Sequence, residues 1–143
     1  MAFIVHHQGQ LWLLQLALSE EVAGPPDNFY LGLYSDASPA EADTLAEVTA
    51  METSGTSYAR QAIPSTAVGW TVALVGSDVD AVATQETFTA GGTWPSANRW
   101  FLATTVDNSG VLICSGDIAP ARTLGNTDTL KLTATVRLKN VGD

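Results

Sequence analysis

Few side chains in this sequence are of the types that do chemistry, and their spacing argues against a site. The two histidines, His6 and His7, are adjacent. Neighbours on a helix point ~100° apart, so the pair lacks the shared face that an i, i+4 metal or acid–base pair would have. Both read as solvated or subunit-contacting residues. The single cysteine, Cys114, lies in an apolar run and reads as a small buried hydrophobe. Asp78 and Asp80 share the turn Gly76-Ser77-Asp78-Val79-Asp80. Calcium needs about six to eight oxygens, and the long acidic loop that supplies them is missing. Asp36, Glu41, Asp43, Glu47 and Glu52 crowd one stretch, with no spacing that fixes an acid/base pair in a cleft. Trp70, Trp94, Trp100, Tyr30 and Tyr34 are candidates for a sugar-stacking platform, but at strand positions they read first as core or corner residues. The sequence has no GxSxG, no phosphate-cradling glycine loop, no CxxC and no HExxH. It therefore predicts no catalytic set, no cofactor and no metal.

The elements that would position these residues are mostly strands. The segment 91–117 reads as one β-hairpin. Residues 100–105 are aromatic, aliphatic and β-branched. Asp107-Asn108-Ser109-Gly110 then supplies turn chemistry, residues 111–115 return, and Gly116-Asp117 is the next punctuation. Residues 4–21 are the one helical candidate. Leu11, Leu14 and Leu18 fall at i, i+3 and i+7, and Trp12, Leu13 and Leu16 widen the apolar face. Gly9 is a weak point, so the ordered helix is expected from about Gln10. Residues 29–34 form a strand. Residues 35–56 form a long acidic loop with at most a short helix near 40–48. Strands follow at 58–63, 70–75 and 81–88. Residues 118–129 read as a connector. Residues 130–138 alternate Leu130, Leu132, Ala134, Val136 and Leu138 with polar partners, the pattern of the longest strand with one buried face. The fold class is mainly β: an antiparallel β-sandwich, jelly-roll-like, with one N-terminal α-helix. A helical arm at 1–24 would precede a single β-sandwich domain at 25–143.

The totals narrow the function classes. One domain fits 143 residues. Six basic against fifteen acidic residues give a net charge of -9, which repels phosphate backbones and anionic membrane surfaces. No nucleic acid and no membrane partner is expected. The N-terminal stretch has no basic region and no small-residue cleavage site, so no signal peptide is expected and synthesis is assigned to the cytoplasm.

Several pieces in fixed order carry a resemblance. A hydrophobic helix is followed by FYLGLYSD at 29–36, GTSYARQAI at 55–63, TWPSANRWFLATTVDNSGVLICSGDI at 93–118 and ARTLGNTDTLKLTATVRL at 121–138. Together they resemble a family of small virion proteins of tailed double-stranded DNA bacteriophages, labelled tail fibre or structural protein. Where that family usually has Gly-Asp before its last strand, this chain has Asn126-Thr127-Asp128. The resemblance implies a non-enzymatic virion structural protein. Its build is also similar to head decoration (cement) proteins, some of which bind as trimers. A fibre needs a shaft, and the sequence shows no repeat, coiled coil or β-helix. The expectation is therefore a capsid decoration protein on the outer surface of the head, a homotrimer in contact with the major capsid protein. The alternative is a tail fibre or tail appendage in contact with tail proteins, or a host-surface glycan-binding module. Leu11, Trp12, Leu14 and Leu18 are the expected oligomer and capsid contacts.

Overall fold

The computed structural model describes residues 3–19 and 23–139, and these residues form ten strands and two helices. The first strand, β1 (Ile4–Val5), leads into helix α1 (His7–Leu18), and β2 (Asn28–Tyr34) follows. Helix α2 (Leu45–Ala50) sits inside the acidic stretch. Next come β3 (Gln61–Pro64), β4 (Trp70–Val75), β5 (Asp78–Ala83) and β6 (Glu86–Thr89). The expected hairpin is β7 (Ala97–Ala103) and β8 (Leu112–Arg122), and β9 (Thr129–Leu132) and β10 (Thr135–Leu138) close the chain. All strand pairings are antiparallel. The strands form sheets ordered β1-β8-β7-β2-β3, β10-β5-β4 and β6-β9.

One apolar core lies between the sheets, which gives a sandwich-like arrangement. Leu31, Leu33 and Leu102 come from the five-stranded sheet, Ala83 with the half-buried Val136 from the second, and Phe88 with Leu130 from the third. The opposite face of the five-stranded sheet carries Tyr34, Phe101, Ala103 and Leu112, covered by Leu45 and Val48 of α2. Helix α2 is well specified: Thr44 Oγ1 accepts from the Glu47 N–H, and the Glu47 carboxylate accepts from the Thr44 N–H, a reciprocal capping box. The acidic stretch is thus an ordered cover for a sheet face, because its Leu45, Val48 and Met51 can be buried there.

The helical segment packs on the five-stranded sheet, and several expectations about single elements need correction. β1 pairs with β8, and Trp12 lies in the main core. The helix runs through Gly9, whose missing side chain lets it approach β8: a Cβ there would stand 2.3 Å from the Ile113 carbonyl oxygen. The expected single strands 81–88 and 130–138 are each broken in two. Between the pairs Val82↔Thr135 and Glu86↔Leu132 one side holds three residues and the other two, so a bulge bends both partners together. Residues 58–60 are not strand, and β3 begins only at Gln61. Gly116-Asp117 is not punctuation either. Both residues pair within β8, and Gly116 is bare because the Trp100 indole lies across it.

Candidate functional site

The expected contact residues divide between two environments. Leu11, Leu14 and Leu18 are 60%, 60% and 79% exposed and form one row along the outside of α1. Trp12 turns inward and meets the edge of Phe29 at 6.0 Å, and Phe29 in turn meets Trp70 at 5.9 Å. Behind this aromatic ladder an apolar cleft of about 530 Å³ lies between α1 and the β4–β5 hairpin, bordered by Trp12, Trp70, Val72 and Val136. The helix carries no charged side chain from His7 to Leu18 apart from what His7 itself can gain. Its leucine row can therefore be covered by another protein without desolvating an ion.

The YARQ segment is a buckle. Arg60 spends every guanidinium N–H. Nε and Nη2 donate to the two Glu52 carboxylate oxygens at 2.9 and 2.7 Å. Nη1 donates to the carbonyls of Thr105 and Asp107 at 2.9 and 2.7 Å, and Nη2 also reaches Thr49 Oγ1 at 3.0 Å. The guanidinium lies 4.9 Å from the Phe101 ring centroid. Tyr58 donates its hydroxyl to Glu52 at 2.7 Å and accepts from the Leu33 N–H at 2.9 Å. Burial, reinforced by Glu52, raises the pKa of that hydroxyl, so it stays a donor. These bonds tie the end of the acidic stretch to β2 and to the β7–β8 turn. Residues 58–60 thus join the fold through their side chains and not through a backbone ladder. Strand alternation over 58–63 would place Tyr58 and Arg60 on one face, but nothing in the spacing signals Glu52 as their common acceptor.

A second buried polar group lies under β1. Arg99 donates through Nε to the Tyr34 hydroxyl at 3.0 Å and through Nη2 to Ser115 Oγ at 2.9 Å, and pairs with Asp117. His6 Nε2 meets the same Ser115 Oγ at 2.9 Å. His6 is therefore not solvated as expected. Burial lowers its pKa below the usual 6.5, so it is held neutral beside a permanent cation. His7 is exposed and faces Glu41 at 3.3 Å.

The remaining candidates resolve as structure. Trp94 is 1% exposed, and its indole N–H donates to the Thr56 carbonyl at 2.9 Å. Tyr34 is also buried, so neither ring can serve in a sugar platform. Trp100 lies over Gly116 and against Phe3. Both oxygens of Asp80 accept from Arg137 at 2.6 Å. Cys114 is buried, and burial pushes its thiol pKa up. Among the described residues no three His, Cys, Asp or Glu side chains converge to hold a metal. Among them, too, no helix is long and apolar enough to cross a membrane.

The segments that interlock here, from the leucine helix through the YARQ buckle and the β7–β8 hairpin to β10, are matched as a unit by one family model, over residues 10–137: podophage GP4 fiber I protein gp80. The chain belongs to that fiber I family. The family is one of phage fibre-like structural proteins, so the fold described here is that of a virion structural component. No curated protein matches the chain. The buckle and Trp94 are buried, whereas Leu11, Leu14 and Leu18 of α1 and Val72 and Leu74 of β4 are exposed apolar side chains.

Proposed function

We propose that this fiber I family member is a non-enzymatic subunit of a phage tail appendage that works by protein–protein contact. The observation that carries the reading is the row of Leu11, Leu14 and Leu18, exposed on a helix whose other side is locked into the core. A helix held this rigidly by Trp12 and Gly9 presents its leucines without an ordering cost, which favours their use as anchors at i, i+3 and i+7. The partner is a neighbouring copy, in a homotrimer, with tail proteins at the mounting end. Many small contacts of this kind add through avidity.

A second reading is a decoration protein on the head, bound to the major capsid protein. It is favoured by the lack of a shaft: among the described residues no helix exceeds 12 residues and no strand exceeds 11. A glycan-binding role has less support, because Trp94 and Tyr34 offer no exposed ring.

The test is the double substitution Leu11→Glu/Leu14→Glu. Removing residues 1–21 would be a poor test, since it also removes Trp12 and the His6–Ser115 bond. The exposed double variant should keep the wild-type circular dichroism and thermal midpoint, yet fail to form oligomers or to enter particles. Normal incorporation of that variant would sink the proposal.

A further inference from the structure

Among the described residues the β4 edge is the one sheet border without protection. Each of the other border strands is blunted. β1 has only two residues, β3 ends in Pro64, β10 carries Arg137, β6 carries Glu86 and β9 carries Lys131. β4 is Trp70-Thr71-Val72-Ala73-Leu74-Val75, with neither proline nor charge, and it pairs on one side only, with β5. Val72 and Leu74 are 67% and 78% exposed. A long, flat, apolar edge of this kind is a template for another strand.

The backbone geometry says which atoms are free. Val75 pairs with Asp78 across the two-residue turn Gly76-Ser77, and Gly76 has φ +65, as the first position of a type II′ turn requires. The residues flanking such a turn form a hydrogen-bonded pair, and these alternate along the ladder. Val75, Ala73 and Thr71 therefore direct their N–H and C=O groups to β5. Val72 and Leu74 direct theirs outward. The Trp70 N–H is already used, donating to the Thr66 carbonyl at 3.0 Å.

We propose that β4 pairs antiparallel with β4 of a second copy, about a two-fold axis at Ala73, joining two three-stranded sheets into one of six strands. This register fits on three counts. It sets Val72 against Leu74 of the second copy, and Leu74 against its Val72, so the free donors and acceptors make four backbone hydrogen bonds. It places the small Ala73 side chain opposite itself, in the non-hydrogen-bonded pair where side chains crowd most. It also brings no like charges together, because the chain has no charged residue between Arg60 and Asp78, while its acids at 36–52 belong to the stretch whose α2 covers the opposite face of the five-stranded sheet. A chain of net charge -9 can meet a copy of itself closely only through such a neutral patch. The contact is separate from the leucine row and stands whether or not that row acts as proposed.

The register makes a sharp test possible, because the one native thiol, Cys114, is buried and silent. In the full chain, Ala73→Cys places two thiols across the axis with Cα atoms about 4.5 Å apart, within disulfide range. Mild oxidation should give a covalent dimer as the main product. Leu74→Cys, whose thiols do not oppose each other, should cross-link at least about tenfold less. Adding Val72→Lys to Ala73→Cys should abolish the cross-link while circular dichroism stays unchanged. The Ala73→Cys dimer should persist in the Leu11→Glu/Leu14→Glu background, which separates this contact from the one on α1. Equal cross-linking at positions 73 and 74, no dimer at 73, or open-ended aggregates in place of a dimer in the Leu11→Glu/Leu14→Glu background would each overturn the proposal.

Discussion

Replacing Arg60 with alanine should be among the most damaging changes available in this chain outside the apolar core. Its side chain is 4% exposed and Glu52 is 12% exposed, so the pair is not a surface ion pair worth at most about 1 kcal/mol. Arg60→Ala removes five hydrogen bonds and the contact with Phe101. It leaves the Glu52 carboxylate buried with the Tyr58 hydroxyl as its remaining side-chain donor. Breaking a buried pair by removing one partner costs about 3–5 kcal/mol, chiefly the uncompensated charge. At roughly 3 °C per kcal/mol for a domain of this size, the thermal midpoint should fall by about 10–15 °C. Arg60→Lys keeps the charge but loses the planar fork, so it should recover less than half of the loss. The diagnostic measurement is a double-mutant cycle by chemical denaturation. Adding Glu52→Gln to Arg60→Ala neutralises the stranded charge and should restore about 1–2 kcal/mol. Strict additivity of the two changes, or a drop in midpoint under about 3 °C for Arg60→Ala, would refute the buckle.

Other substitutions and conditions have defined outcomes. Gly9→Ala raises helix propensity by about 1 kcal/mol, yet its Cβ would meet the Ile113 backbone at 2.3 Å, so denaturant melts should show net destabilisation. His6 has a folded pKa below its unfolded 6.5 because of burial, so the unfolded chain binds the proton more readily. Stability should therefore fall as pH drops below about 6.5, and His6→Gln should flatten the dependence of the thermal midpoint between about pH 7 and 5. Asp80 has a carboxyl held below the usual range, first by its hydrogen bonds from Arg137. Its contribution is present above the unfolded value near 3.8 and is lost as pH falls through the lower folded value. Asp80→Asn should make acid unfolding less steep below about pH 4.

How far the sequence revealed the fold depended on the range of the interactions. The β7–β8 hairpin and β4 with its Gly76-Ser77 turn were legible because turn chemistry and local composition suffice to define them. The short α2 was legible only in outline, since the Thr44–Glu47 capping box shifts its start past the Ala40 suggested by composition. The bulge that divides 81–88 and 130–138 was not legible, because period-2 alternation continues through it: Ala134 is buried as the pattern demands, yet the ladder shifts there. Partners far apart in sequence were also hidden. Nothing near Arg60 announces Thr105 or Asp107, and nothing near His6 announces Ser115. Of the expected contact residues, the spacing of Leu11, Leu14 and Leu18 gave the exposed row, but it could not show that Trp12, one residue on, belongs to the core.

The most direct test of the central claim is the location of this chain on intact particles. Cryo-electron microscopy should find its sandwich-like domain in the tail appendage, in copies related by the symmetry of that appendage and touching through α1. Density confined to the head would contradict the appendage assignment in favour of decoration, and absence from purified particles would contradict the virion role itself.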